Sequence, residues 1–218
     1  MVTKLFDLGF VLVTNLISVI IGMIAFGYVK NKKIRVLILY WTFFIILDKV
    51  VLEMIPNNRT INIVYCLICP VQYFIYIYLF ENHIKNNKPL FFFQYVGIVL
   101  LTIYAFYQIF FNYEENTMSS NVFLILCILS LFTVMLYFKS IVESREIIIL
   151  SNDPFFWIAT GILFFMAANV ISTGLFHQSY QKSKELAQEL YKLNELMNFL
   201  MSVFFSVSFI IASKKVNI

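Results

Sequence analysis

Seven apolar stretches, each long enough to cross a bilayer as a helix, occupy most of this 218-residue chain. The hydrocarbon layer takes about 20 residues of helix, and a backbone facing lipid must satisfy its own hydrogen bonds. The expected fold is therefore all-α: a polytopic membrane protein, a seven-transmembrane-helix bundle forming a single domain over residues 1–218. The helices are expected at about 7–29, 35–55, 61–80, 90–111, 121–142, 155–177 and 195–213. Composition agrees, because 61% hydrophobic residues, 13% charged residues and a mean hydropathy of +0.85 exceed what a soluble core can bury.

The breaks between stretches are chemically marked. Asn31-Lys32-Lys33 closes the first, and Pro56-Asn57-Asn58-Arg59-Thr60 separates the second from the third. Pro89 and Pro154 each fall at a first-turn position, where the missing N–H costs nothing. The second stretch is the least clean, since Asp48-Lys49 and Glu53 interrupt it, and it is the candidate for a tilted or partly interfacial helix. Between the sixth and seventh, residues 180–194 place Leu186, Leu190 and Leu193 at helical spacing with charges between them. That pattern predicts an amphipathic external helix, lying on the headgroups or extending the last span outward.

Orientation follows from basic residues. One side collects Lys30, Lys32, Lys33, Arg35, Lys85, Lys88, Lys139, Arg145, Lys214 and Lys215; the other has Lys4, Arg59, Lys182, Lys184 and Lys192. The positive-inside rule then puts the C-terminus in the cytoplasm and the N-terminus outside. The excess of Phe, Ile, Asn, Lys and Tyr fits an AT-rich bacterial genome, hence a multi-pass protein of the bacterial cytoplasmic (inner) membrane. A net charge of +4 is accounted for by inner lysines near anionic lipid, so no nucleic-acid partner is expected. The lipid bilayer is the first partner; a cytoplasmic signalling protein and a second copy of the chain are further candidates.

Intramembrane charge is costly, so Asp48, Lys49 and Glu53 are the first site candidates, weighed against snorkelling into the headgroups. Gln72 and Tyr73, beside the helix-interrupting Pro70, add hydrogen-bonding groups to the third stretch. Asn169 in the sixth and Asn198 and Ser202 in the seventh complete the candidate ligand or ion pocket. Asn194, Asn198, Ser202 and Ser206 recur every fourth residue and predict a bundle-facing seam. Lys30, Lys32, Lys33, Arg35, Lys214 and Lys215 are the candidate partner contacts. Ser18 with Gly22, and Ala168 with Ser172, have the spacing that lets helices approach closely.

Catalytic patterns are absent. Cys66 and Cys69 have the spacing of a redox pair, but only Cys127 remains to relay electrons, and two small apolar residues one turn apart explain them better. His83 and His177 fall on expected opposite sides, so neither a metal nor a cofactor is expected. No phosphate loop, dinucleotide fingerprint or nucleophile elbow occurs. No enzyme is expected.

The run Asp153-Pro154-Phe155-Phe156-Trp157-Ile158-Ala159-Thr160-Gly161-Ile162-Leu163 and the segment from Leu193-Asn194 to Ile211-Ala212-Ser213-Lys214-Lys215 resemble small seven-helix membrane proteins of Bacteroidetes. That resemblance, over the last third of the chain, implies sensor-kinase signalling, with an outward N-terminus and a bundle that receives a stimulus. The chain carries no kinase or cyclase module, so a sensory or regulatory subunit of this kind would act through a separate cytoplasmic protein. The alternatives are a small-solute transporter or pore lined by Asp48, Lys49, Glu53 and Gln72, and a membrane effector or accessory of bacterial antiphage defence. The topology is testable first. A fluorescent protein fused after Ile218 should light up in cells, and alkaline phosphatase at the same position should stay inactive; the reverse pattern overturns the orientation.

Overall fold

In the computed structural model, residues 8–54, 58–84, 88–111, 118–144, 149–182 and 184–214 are described. They form seven α-helices: α1 (Leu8–Phe26), α2 (Lys32–Met54), α3 (Asn58–Ile84), α4 (Lys88–Phe111), α5 (Met118–Glu143), α6 (Pro154–Lys182) and α7 (Lys184–Lys214). A short 3-10 turn at Leu150–Asn152 precedes α6, and no strand occurs among the described residues.

Among the described residues, five segments are long and apolar enough to cross a membrane: Asn62–Ile84, Lys88–Phe111, Asn121–Glu143, Pro154–Gly174 and Gln188–Lys214. The chain is therefore a multi-pass helical membrane protein. α1 carries no charged residue along its 19 residues from Leu8 to Phe26. α2 carries Lys32, Lys33 and Arg35 at one end and Asp48, Lys49 and Glu53 toward the other, which leaves no span-length uncharged run between them.

The helices begin and end within a few residues of expectation, except around the amphipathic segment. α6 continues to Lys182 instead of stopping near 177, and α7 begins at Lys184 instead of near 195. Residues 184–194 are thus the first turns of α7, the extending alternative of the two that the spacing allowed. At a rise of about 1.5 Å per residue, α6 and α7 are about 44 and 47 Å long. The hydrocarbon is ~30 Å thick. Pro70 lies inside an uninterrupted α3.

The chain divides into two compact units, one within Met1–Thr42 and Glu146–Ile218 and the other within Phe43–Arg145, with the boundary inside α2. In the first unit, Asn15 bonds Ser202 and Gly22 packs on Phe209, each pair 187 residues apart. A constant offset over seven residues means that α1 and α7 run parallel, with the two-turn repeat of knobs-into-holes packing. Gly22 permits the approach: a Cβ there would lie 3.2 Å from Ile38 and from the Phe209 ring. Trp41 of α2 joins this seam, its indole N–H donating to Ser18 at 3.0 Å and its ring meeting Phe205 edge-on at 5.0 Å. α6 and α7, separated only by Ser183, pack as an antiparallel hairpin. Gly161 sits under Phe204, whose ring also stacks with Trp157 and Phe164.

In the second unit α4 turns a narrow face inward, made of Gln94, Gly97, Leu101, Ala105 and Gln108. Their spacing of three, four, four and three residues is one helical stripe. Ile98, Tyr104 and Ile109 beside this stripe are partly buried, and the opposite face of α4 is exposed, Phe92, Phe93, Phe110 and Phe111 most of all. Gln94 meets Thr133 and Gly97 meets Leu129, so α4 and α5 run antiparallel. Cys66, Cys69, Tyr73, Ile77, Leu101, Ala105, Val122 and Leu126 form the core between α3, α4 and α5.

Two glycines separate packing from propensity. A Cβ on Gly161 would stand 3.1 Å from the Cβ of Phe204, whereas one on Gly174 meets nothing within 4 Å. Gly161→Val should destabilise the protein by about 1–3 kcal/mol through overpacking. Gly174→Ala should stabilise it by about 0.5–1 kcal/mol through lost backbone freedom in the unfolded chain. Thermal unfolding in detergent reads both.

Candidate functional site

The basic residues that join α1 to α2 do two different things. α1 ends at Phe26, and the N–H groups of Tyr28 and Val29 both return to the Ala25 carbonyl at 2.9 Å. Asn31 starts α2, its side-chain oxygen accepting from the Lys33 N–H at 2.9 Å and its carbonyl from the Arg35 N–H at 3.1 Å. Arg35 reaches back across this turn: its Nε donates to the Val29 carbonyl at 2.5 Å, and its guanidinium lies 5.4 Å from the centre of the Phe26 ring. A cation is favourable at the C-terminal end of α1 and over an aromatic face. Arg35 therefore fastens the turn, although its sequence position marks it as a partner contact. Lys30 and Lys32 are exposed.

Lys214, in the last turn of α7, is exposed too. The parallel offset of α1 and α7 carries Phe26 level with Ser213 and places Lys214 one residue beyond. Residues at opposite ends of the chain thus share one end of this unit: Lys30, Lys32 and Lys214, with the exposed Tyr28 among them. Trp157 near the start of α6 donates its indole N–H to the Ser151 carbonyl at 3.0 Å. Asp153 accepts from the Phe155 N–H at 3.1 Å. Lys215 lies outside the described residues.

Inside the same unit the expected seam on α7 is present in part. Ser202 is buried and donates to Asn15 of α1, with the Asn198 carbonyl 3.0 Å from the same hydroxyl. Ser206 donates to the Ser202 carbonyl at 2.8 Å. The side-chain oxygens of Asn194 and Asn198 are buried without a partner. Asn169 is buried but turned onto its own helix, donating to the Phe165 carbonyl at 2.8 Å, and Ser172 bonds the Asn169 carbonyl at 3.4 Å.

The second unit holds Gln72 and Tyr73, adjacent in sequence but engaged differently. Gln72 donates to the hydroxyl of Tyr76, one turn on in α3, at 2.7 Å. Tyr73, fully buried, reaches α4 and donates to the Gln94 side-chain oxygen at 2.7 Å; Thr133 of α5 lies 2.6 Å from the same oxygen. Three helices thus meet through one amide. Cys66, Cys69 and Cys127 are buried free thiols in this apolar surrounding. The side chains of Asp48, Lys49, Glu53 and His177 lie outside the described residues. Among the described residues no three His, Cys, Asp or Glu side chains are grouped to hold a metal ion.

Asn15, Gln94 and Thr133 carry interhelical contacts that single-helix inspection does not suggest. The available signal was Gln94, Gly97, Leu101, Ala105 and Gln108, a polar and small stripe in a stretch otherwise crowded with Phe, Ile and Tyr. The chain matches no protein-family model, no curated protein and no solved structure.

The interior chemistry described is neutral hydrogen bonding, suited to holding helices in register. Interhelical bonds of this kind contribute about 0.6 kcal/mol on average within membranes. A double-mutant cycle on Asn15→Ala and Ser202→Ala should give a coupling of about 0.6 kcal/mol, with ~1.7 kcal/mol as a ceiling. Additive single effects in the unfolding measurement would place the two groups apart.

Proposed function

We propose that this protein is a membrane-embedded sensory or regulatory subunit of the bacterial inner membrane, with its N-terminus outside, acting through a separate cytoplasmic protein. The observation that carries the reading is the gathering of Lys30, Lys32 and Lys214 at one end of the first unit. Arg35 holds that turn in place without itself being spent on a partner. By the positive-inside rule this end faces the cytoplasm. Three exposed ammonium groups favour an acidic protein surface and speed its approach.

The seam behind that end supports a regulatory role. α1 and α7 are joined by a neutral hydrogen bond and a close glycine contact, interactions small enough for a second packing to be within reach. A signal would act by preferring one packing over the other. Because Lys214 rides on α7 and Lys30 follows α1, any slip between the helices changes their spacing and so what the cationic end can grip.

The variant Lys30→Gln, Lys32→Gln, Lys214→Gln should keep its thermal stability and topology while losing the stimulus-dependent change in gene expression that the reading expects of the parent chain. Arg35→Gln should instead lower the unfolding temperature. A triple variant that signals like the parent removes the proposal.

A further inference from the structure

We infer that Gln94 and Ser130 form a small binding site inside the second unit for a hydrogen-bond-accepting oxygen. Two oxygens share this chemistry: that of a water molecule and that of an amphiphile carbonyl drawn from the bilayer.

The Gln94 side-chain oxygen has two acceptor positions, and both are taken by the hydroxyls of Tyr73 at 2.7 Å and Thr133 at 2.6 Å. Thr133 also lies 3.0 Å from the Leu129 carbonyl, so its single proton is divided between two acceptors. The Gln94 Nε2 carries two N–H donors and meets no partner. Gln94 is only 1% exposed, so the bulk solvent does not supply one.

A second unpartnered group lies on the facing helix α5. Ser130 is fully buried, and its hydroxyl has no partner either. It precedes Thr133 by one turn on the inward side of α5, and the antiparallel register of α4 and α5 puts it between the levels of Gln94 and Gly97. Tyr73 fixes the third wall. Its phenol reaches Gln94 because Gly97 has no side chain; a Cβ there would press to 3.3 Å from the Tyr73 oxygen.

The core to which Tyr73 belongs is otherwise apolar, built from Cys66, Cys69, Ile77, Leu101, Val122 and Leu126. Unmade hydrogen bonds are costly in such surroundings, and buried polar groups in native proteins are nearly always matched. An amide with two free donors, about one turn along the α4–α5 contact from a hydroxyl that both donates and accepts, matches one guest oxygen. Buried waters are held by two to four such groups. The guest would add a polar tie between α4 and α5 to the one that Thr133 makes with Gln94.

The test is solid-state NMR on the full chain in lipid bilayers, with the glutamine side chains labelled with nitrogen-15. The Gln94 signal is identified by its absence from Gln94→Met, and if that variant does not fold, by its shift in the conservative variant Tyr73→Phe. Magnetisation passing from water to the Gln94 side-chain N–H groups supports the site with water as guest. A contact from those N–H groups to a carbonyl carbon of labelled lipid supports it with an amphiphile as guest. Either contact should weaken in Ser130→Ala. Neither contact, with the N–H groups instead close to the Tyr73 and Thr133 hydroxyls, means the amide is turned over and satisfied within the chain, and overturns the site.

Discussion

A backbone in hydrocarbon has no water to fall back on, and this requirement governs the rest of the molecule. Each described segment answers it by closing hydrogen bonds within one helix, including α3, which runs through Pro70 without ending. Once the backbone is self-sufficient, nothing apolar drives one helix toward another, because lipid tails are as good a solvent as Leu. Association then depends on shape and on the few polar side chains that prefer each other to lipid.

Both units use these two devices together. In the first, Gly22 and Gly161 let α7 be approached closely by α1 and α6, and Asn15 with Ser202 adds one directional bond. In the second, Gly97 admits Tyr73, and Tyr73 and Thr133 converge on Gln94. A glycine and a polar contact lie about two turns apart on α1 and about one turn apart on α4. The glycine brings backbones near enough for short polar side chains to meet, and the polar bond sets the register in which the glycine is useful.

Much of the architecture was readable from the sequence, because a membrane helix announces itself by apolar length and by the Asn, Lys and Pro residues that break it. The start of α6 at Pro154 and of α4 beside Pro89 are of this kind. The true start of α7 was harder to read, since the turns around Glu185, Glu189 and Lys192 are charged and have helical spacing without apolar length. Polar candidates fared unevenly. Ser202 was visible from a four-residue repeat, whereas Gln94 is one amide in an aromatic run, and its role depends on partners 21 and 39 residues away. Arg35 shows another limit: its charge suggested an outward contact, but the geometry of the turn, which a charge count does not contain, directs it onto Val29 and Phe26.

The interval of 187 residues between Asn15 and Ser202 also has a meaning in time. At about 5–20 residues per second of synthesis, α1 waits roughly 10–40 seconds before its partner face on α7 has even been made. Until then Asn15 lacks its partner, while Gly22 has only Ile38 of the next helix to pack against. The second unit, by contrast, is one continuous piece of chain and can close while the ribosome is still at work. Membrane insertion of this protein is therefore expected to have a built-in order, in which the earliest helix is among the last to find its place.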